Sequence, residues 1–132
     1  MTGETNLDIL ISTMKPQLND GDYVFCCIKT GQVDLSGVLF FFKEQEGLTI
    51  VCTEDVAKKR HYTYNSVFSW ITLNVHSALE AVGLTAAFAQ ALATHSISCN
   101  VVAGYYHDHI FVPKDRGVEA LKVLKNLAKN GK

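Results

Sequence analysis

The chain has 132 residues, 48% of them hydrophobic and 19% charged, and its formal net charge is -1. Such a composition suits one globular domain or two small modules sharing a core, and excludes a disordered chain. Balanced charge argues against a nucleic-acid binder, which needs surplus Lys and Arg facing phosphates. No apolar run approaches the roughly 20 residues of a membrane helix. Met1 to Asn6 lacks the basic-then-apolar character of a signal peptide, so a cytoplasmic location with no membrane partner is expected.

The first predicted element is a helix. Leu7, Leu10, Ile11 and Met14 recur at i, i+3, i+4 and i+7, and Thr5 with Asp8 resembles a capping box. Pro16 ends it, lacking the N–H that the helical ladder requires. After the turn signal Asn19-Asp20-Gly21, strands are expected at Tyr23 to Ile28, Val38 to Lys43 and Leu48 to Cys52. The last two flank Glu44-Gln45-Glu46-Gly47, a hairpin turn with Gly47 supplying a positive φ. A short helix then starts at Thr53-Glu54-Asp55 with its acids at the positive end of the dipole.

From Val67 the pattern reads strand to Val75, helix from Leu84 to His95, strand from Ile97 to Tyr105, turn, and strand Ile110 to Val112. A final helix runs from about Asp115 to Lys129. Leu121, Val123, Leu124, Leu127 and Ala128 form its buried arc, and Lys122, Lys125 and Lys129 its solvent side. This β-α-β-β-α order is a split βαβ unit lacking its last strand. The earlier half repeats part of the scheme, with Thr30 to Gly37 in place of its first helix. Phe40, Phe41 and Phe42 are apolar on both faces of one strand, which predicts that another module or subunit covers the second face. The alanine-rich Leu84–His95 helix likewise has little polar surface.

Cys26, Cys27, Cys52 and Cys99 lie in apolar, strand-like surroundings and form no C-x-x-C pair. They are expected to behave as small hydrophobes rather than as disulfides or metal ligands. For chemistry, the loop from His76 to Thr85 is the most informative stretch. Gly83 relieves the backbone before a helix whose first N–H groups can seat a carboxylate or phosphate. Ser77 and Thr85 supply hydroxyls there, and Glu80 can meet an amino group. The plainer alternative is a capped helix start. His107 and His109, with His76 or Asp108, are candidate metal ligands, but a turn at His107-Asp108 makes the two rings diverge. His95, near a helix C-terminus, reads as structural. No nucleophile elbow or glycine-rich phosphate loop is present.

Ile71-Thr72-Leu73, the run from Val75 to Ala87, and the run from Ile97 to Pro113 resemble an uncharacterised bacterial family of ACT-like proteins. Leu10 to Leu18, Tyr23-Val24-Phe25-Cys26 and Glu46-Gly47-Leu48-Thr49 extend the resemblance over nearly the whole chain. The resemblance implies an α+β, ferredoxin-like (ACT-like) fold of tandem modules, antiparallel sheets with helices on one face. Residues 1–64 form an N-terminal module without its first helix, and residues 65–132 the β-α-β-β-α module.

ACT modules sense small molecules, most often amino acids, at the loop before the first helix and the start of the next strand. By position this implies ligand contacts from Ser77, Val82, Gly83, Leu84 and Thr85, with Asn100 and Val101 on the facing strand. The Asp-Pro-Gly opening of many ACT modules is absent. No catalytic domain is attached, so any regulatory output acts through a separate partner. The expectation is a non-catalytic regulatory homo-oligomer, a dimer, that binds an amino acid or similar carboxylate at the Gly83 loop, with no cofactor or metal. Gly83→Val is expected to abolish binding and spare the fold. Two alternatives stand beside it: an interaction module that uses its apolar sheet face, and a small metal-dependent enzyme built on His107 and His109.

Overall fold

The computed structural model describes residues 6–75 and 83–130. Its elements in chain order are α1 (Leu7–Thr13), β1 (Pro16–Leu18), β2 (Tyr23–Ile28), β3 (Val38–Lys43), β4 (Leu48–Thr53) and α2 (Glu54–Lys59). They continue with β5 (Phe68–Leu73), α3 (Leu84–Thr94), β6 (Asn100–Ala103), β7 (Asp108–Pro113), a 3-10 turn (Lys114–Arg116) and α4 (Gly117–Asn130). Two compact units result: Met1–Asp20 with Ser69–Lys132, and Gly21–Phe68.

In the first unit, α1 buries Leu10 and Ile11 from the predicted stripe. Its cap differs from the expected Thr5–Asp8 box. Thr5 lies outside the described residues, and the Asn6 side chain accepts from Ile9 N–H at 3.2 Å. Pro16 does more than end the helix. It opens β1, which pairs antiparallel with β5 in the register Pro16↔Leu73, Gln17↔Thr72 and Leu18↔Ile71. β5 also lies beside β7, and β7 beside β6. Thus β1 gives the β-α-β-β-α segment the fourth strand it lacks.

β6 is shorter than expected because the chain between Thr94 and Asn100 closes the helix instead of extending. Ile97 N–H donates to Leu92 O at 3.0 Å, Ser96 adopts a φ of +59°, and the Ile97 side chain is buried. α4 buries Ala120, Val123, Leu124 and Leu127 and exposes Lys122, Lys125 and Lys129, while Leu121 is half-buried. Phe88 and Leu92 of α3 are fully buried with Leu10, Ile71, Leu73, Val112 and Leu124, forming one continuous apolar core. α4 starts hard against the sheet: a Cβ on Gly117 would stand 2.7 Å from Ser69 Oγ.

In the second unit, β4 runs between β3 and β2 and is antiparallel to both. Val24, Cys26, Ile50 and Cys52 bury one face against Ala57 of α2. Thr53 Oγ1 caps that helix by accepting from Val56 N–H at 3.3 Å. Gly47 is required by close approach: a Cβ there would meet Cys27 Sγ and Ile28 O at 2.9 Å. On the other face Phe25 meets Phe40 and Phe68 edge-on, with centroids 6.3 and 5.3 Å apart. Further along β3, Phe41 and Phe42 are 45% and 67% exposed. Residues 29–37 form no helix.

That loop is nevertheless held in place. Arg60 Nη1 donates to Asp34 O at 2.7 Å, and Nη2 donates to Ser36 O at 2.6 Å. Asp34 Oδ1 accepts from Ser36 N–H at 2.9 Å and from its hydroxyl at 2.7 Å. These Ser36 hydrogen bonds, then the Arg60 charge, hold the Asp34 carboxyl below its ordinary range.

Candidate functional site

The start of α3 carries three of the expected binding residues. Gly83 is its N-cap in the left-handed region, φ +97° and ψ -17°, and among the described residues no side chain caps the helix there. The Gly83 carbonyl accepts from Ala87 N–H at 2.9 Å, closing the first turn. That turn contains no acidic residue, so the positive end of the helix is not neutralised from within its own first turn. Leu84 is buried in the core, whereas Thr85 and Ala86 are exposed. The geometry suits an anion, with Leu84 as anchor and the Thr85 hydroxyl open to solvent.

Asn100 and Val101 occupy a different element, the strand β6, paired with Phe111 and Ile110. Both are exposed, and Asn100 Nδ2 donates to Phe111 O at 3.4 Å. Ser77 and Val82, with His76 and Glu80, lie outside the described residues. A Cβ on Gly83 would lie 3.1 Å from Leu7 Cδ2 at a φ that side chains rarely adopt. Gly83→Val therefore strains the fold and does not isolate binding.

The histidines do other work. His109 Nδ1 accepts from Trp70 Nε1–H at 3.1 Å and lies 3.2 Å from Thr72 Oγ1. Thr72 Oγ1 in turn accepts from Asn19 Nδ2 at 2.9 Å. This chain stitches the end of β1 to β5 and β7 and engages Nδ1 of the ring. Burial, reinforced by His107, lowers the His109 pKa, whereas burial raises that of Asp108. His107 Nδ1 is buried without a hydrogen-bond partner among the described residues. Among the described residues no three His, Cys, Asp or Glu side chains converge as a metal site. His95 is exposed at the C-cap of α3, and its carbonyl accepts from Arg116 Nη2 at 3.0 Å.

All four cysteines are free, with Cys26 and Cys52 buried and Cys27 exposed. Burial, then the neighbouring Cys52, pushes the Cys26 thiol up to about 11, and burial alone takes Cys99 to about 11. Such thiols carry little thiolate near neutral pH and are poor nucleophiles. A groove of about 440 Å³ runs between α3 and α4, lined by Ala87, Ala91, Val123 and Leu127. The alanines that left α3 without a polar face were its only signal in sequence.

Two family models, both described as ACT domain, match residues 2–69 and 65–126. A Vibrio cholerae protein of unknown function, described as a possible transport protein, is 48% identical. That alignment covers 92% of this chain and 95% of the other, with a TM-score of 0.83. The regulatory subunit of aspartate kinase from Thermus thermophilus, in ligand-free form, superposes at TM-score 0.64 with 10% identity over 88% of this chain and 97% of that one. A protein from Agrobacterium tumefaciens gives 0.72 with 18% identity, covering 87% and 89%. These two likenesses show a shared fold. No curated protein matches the chain.

Proposed function

Because the chain belongs to the ACT domain family, we propose that it is a non-catalytic regulatory protein that binds an amino acid or similar small carboxylate at the start of α3. The two modules are taken as residues 1–64 and 65–132, acting in the cytoplasm as a homo-oligomer. The observation that carries this reading is the N-terminus of α3, where Gly83 offers no side-chain cap and, among the described residues, no side chain accepts from the first-turn amides. Ser77, Val82, Leu84 and Thr85 complete the contact, and Asn100 and Val101 contribute from β6. The ligand acts by population shift, favouring whichever packing of modules or subunits binds it more tightly. A separate enzyme or partner then reads the packing.

Thr85→Glu tests the site better than any change at Gly83. A carboxylate in the first turn favours the helix dipole yet repels an anionic ligand. A thermal-shift screen of the proteinogenic amino acids is expected to find at least one that raises the Tm, since binding to the native state alone must do so. Calorimetry should then show that ligand weakened by tenfold or more in Thr85→Glu, with the variant's own Tm unchanged or higher. A silent screen, or affinity indifferent to Thr85→Glu, would overturn the reading. Phe42, 67% exposed on β3, favours a second reading, in which the sheet face it occupies recruits a partner protein.

A further inference from the structure

The unit Gly21–Phe68 contains a hollow that the α3 site does not explain. α2 has six residues and spans about 9 Å, whereas the strands beneath it, also of six residues, run about 20 Å. It covers Val24, Cys26, Ile50 and Cys52 and leaves the far end of the same face without a helix. At that end Ile28, Leu48 and Lys43 stand in one register row across β2, β4 and β3. The loop 29–37 does not fill the gap but walls it with Val33 and Leu35, and Phe41 closes the β3 side. A cavity of about 620 Å³ results, within the range of small-molecule sites.

The lining of this hollow carries two cations and one acid, a net positive balance. Lys29 and Lys43 both line it, and neither ammonium pairs with a carboxylate among the described residues. The one acid in the wall, Glu44, accepts from the Thr49 hydroxyl. Arg60 holds the loop through Asp34 and Ser36, so the wall is pinned before any ligand arrives.

We propose that this hollow is a second binding site, taking a small amphipathic anion: an apolar body against Ile28, Leu48 and Phe41, and a carboxylate-type head between Lys29 and Lys43. Octanoate is the probe, titrated into the full chain by calorimetry and followed by backbone amide NMR. Saturable binding is expected, with shifts centred on Ile28, Val33 and Leu48. Octanol should bind at least tenfold more weakly, as should octanoate to the double variant Lys29→Ala/Lys43→Ala, whose changes are both on exposed side chains. Leu35→Trp, which fills the hollow from a half-exposed position, should abolish binding, and salt at about 0.5 M should weaken it. Thr85→Glu should leave octanoate affinity unchanged, which separates this site from the one at α3.

Absence of saturable binding, shifts centred elsewhere, or equal affinity for octanol or for the lysine variant would each overturn the proposal. So would sedimentation showing that a second copy of the chain occupies this face and is displaced by Leu35→Trp.

Discussion

The indole N–H of Trp70 donates to Nδ1 of His109 at 3.1 Å, with the ring centroids 5.7 Å apart. The bond fixes the histidine as the neutral tautomer protonated on Nε2, because a protonated Nδ1 would face a donor.

Stability should therefore fall as the solution is acidified below the ordinary histidine value of about 6.5. Burial lowers the folded pKa of His109, with His107 adding to it and Asp108 opposing. Between the unfolded and folded values the unfolded chain binds more protons, so stability is full above about 6.5 and is lost as pH drops through the folded pKa, by at most about 1.4 kcal/mol per pH unit. Asp108 is raised by burial and works in the opposite sense, but above its own ordinary range and so mainly at lower pH. Urea melts between pH 7.5 and 5.5, read by the chain's one tryptophan, should show this slope, and His109→Gln should flatten it. An equal slope in both proteins would refute the assignment.

Gly83→Ala should destabilise by about 1–2 kcal/mol, through its positive φ and the contact with Leu7. Gly83→Val should cost more, since β-branching adds to the same clash. Chemical denaturation orders the three proteins directly. A neutral alanine would mean that the left-handed backbone at Gly83 is not required.

Removing Arg60 should free the loop it pins. Arg60→Ala loses donors to Asp34 O and Ser36 O, so amide exchange across residues 31–37 should accelerate by about tenfold or more. Exchange in β7, in the other unit, serves as the internal control. Uniform acceleration in both would indicate global unfolding rather than a loop clamp.

Gly117→Ala places a methyl 2.7 Å from Ser69 Oγ and 2.9 Å from Ser69 Cβ. Overpacking of this kind costs about 1–3 kcal/mol. Ser69→Gly in the same chain should recover part of that loss, and a double-mutant cycle with no coupling would show that α4 moves aside freely.

Several features were legible because they depend on neighbours in the chain. The periodicity of Leu7, Leu10 and Ile11, the acidic start of α2, the Gly47 turn and the lysine face of α4 all follow from spacing of a few residues. The ACT-type fold followed from the β-α-β-β-α order together with the motif resemblance. β1 was not legible, because Pro16-Gln17-Leu18 is too short to show a period and its partners lie more than fifty residues away. The Trp70–His109 bond was hidden for the same reason: the two residues are 39 positions apart.

At the α3 site, the glycine before an alanine-rich helix was visible in the residues, and its conformation at φ +97° suits that position. What residue order could not reveal is the cost of altering it, which is set by Leu7 from another element. The hollow beneath residues 29–37 was equally invisible. It arises from the mismatch between a short helix and longer strands, and from an arginine 26 positions away that pins the loop. Sequence by itself determined the kind and order of the longer helices and strands and the apolar stripes of α1 and α4, since those depend on local torsions and side-chain period. Only the tertiary structure decided which edges pair, which polar atoms meet and where space remains, because those are contacts between segments whose separation along the chain says nothing of their distance in space.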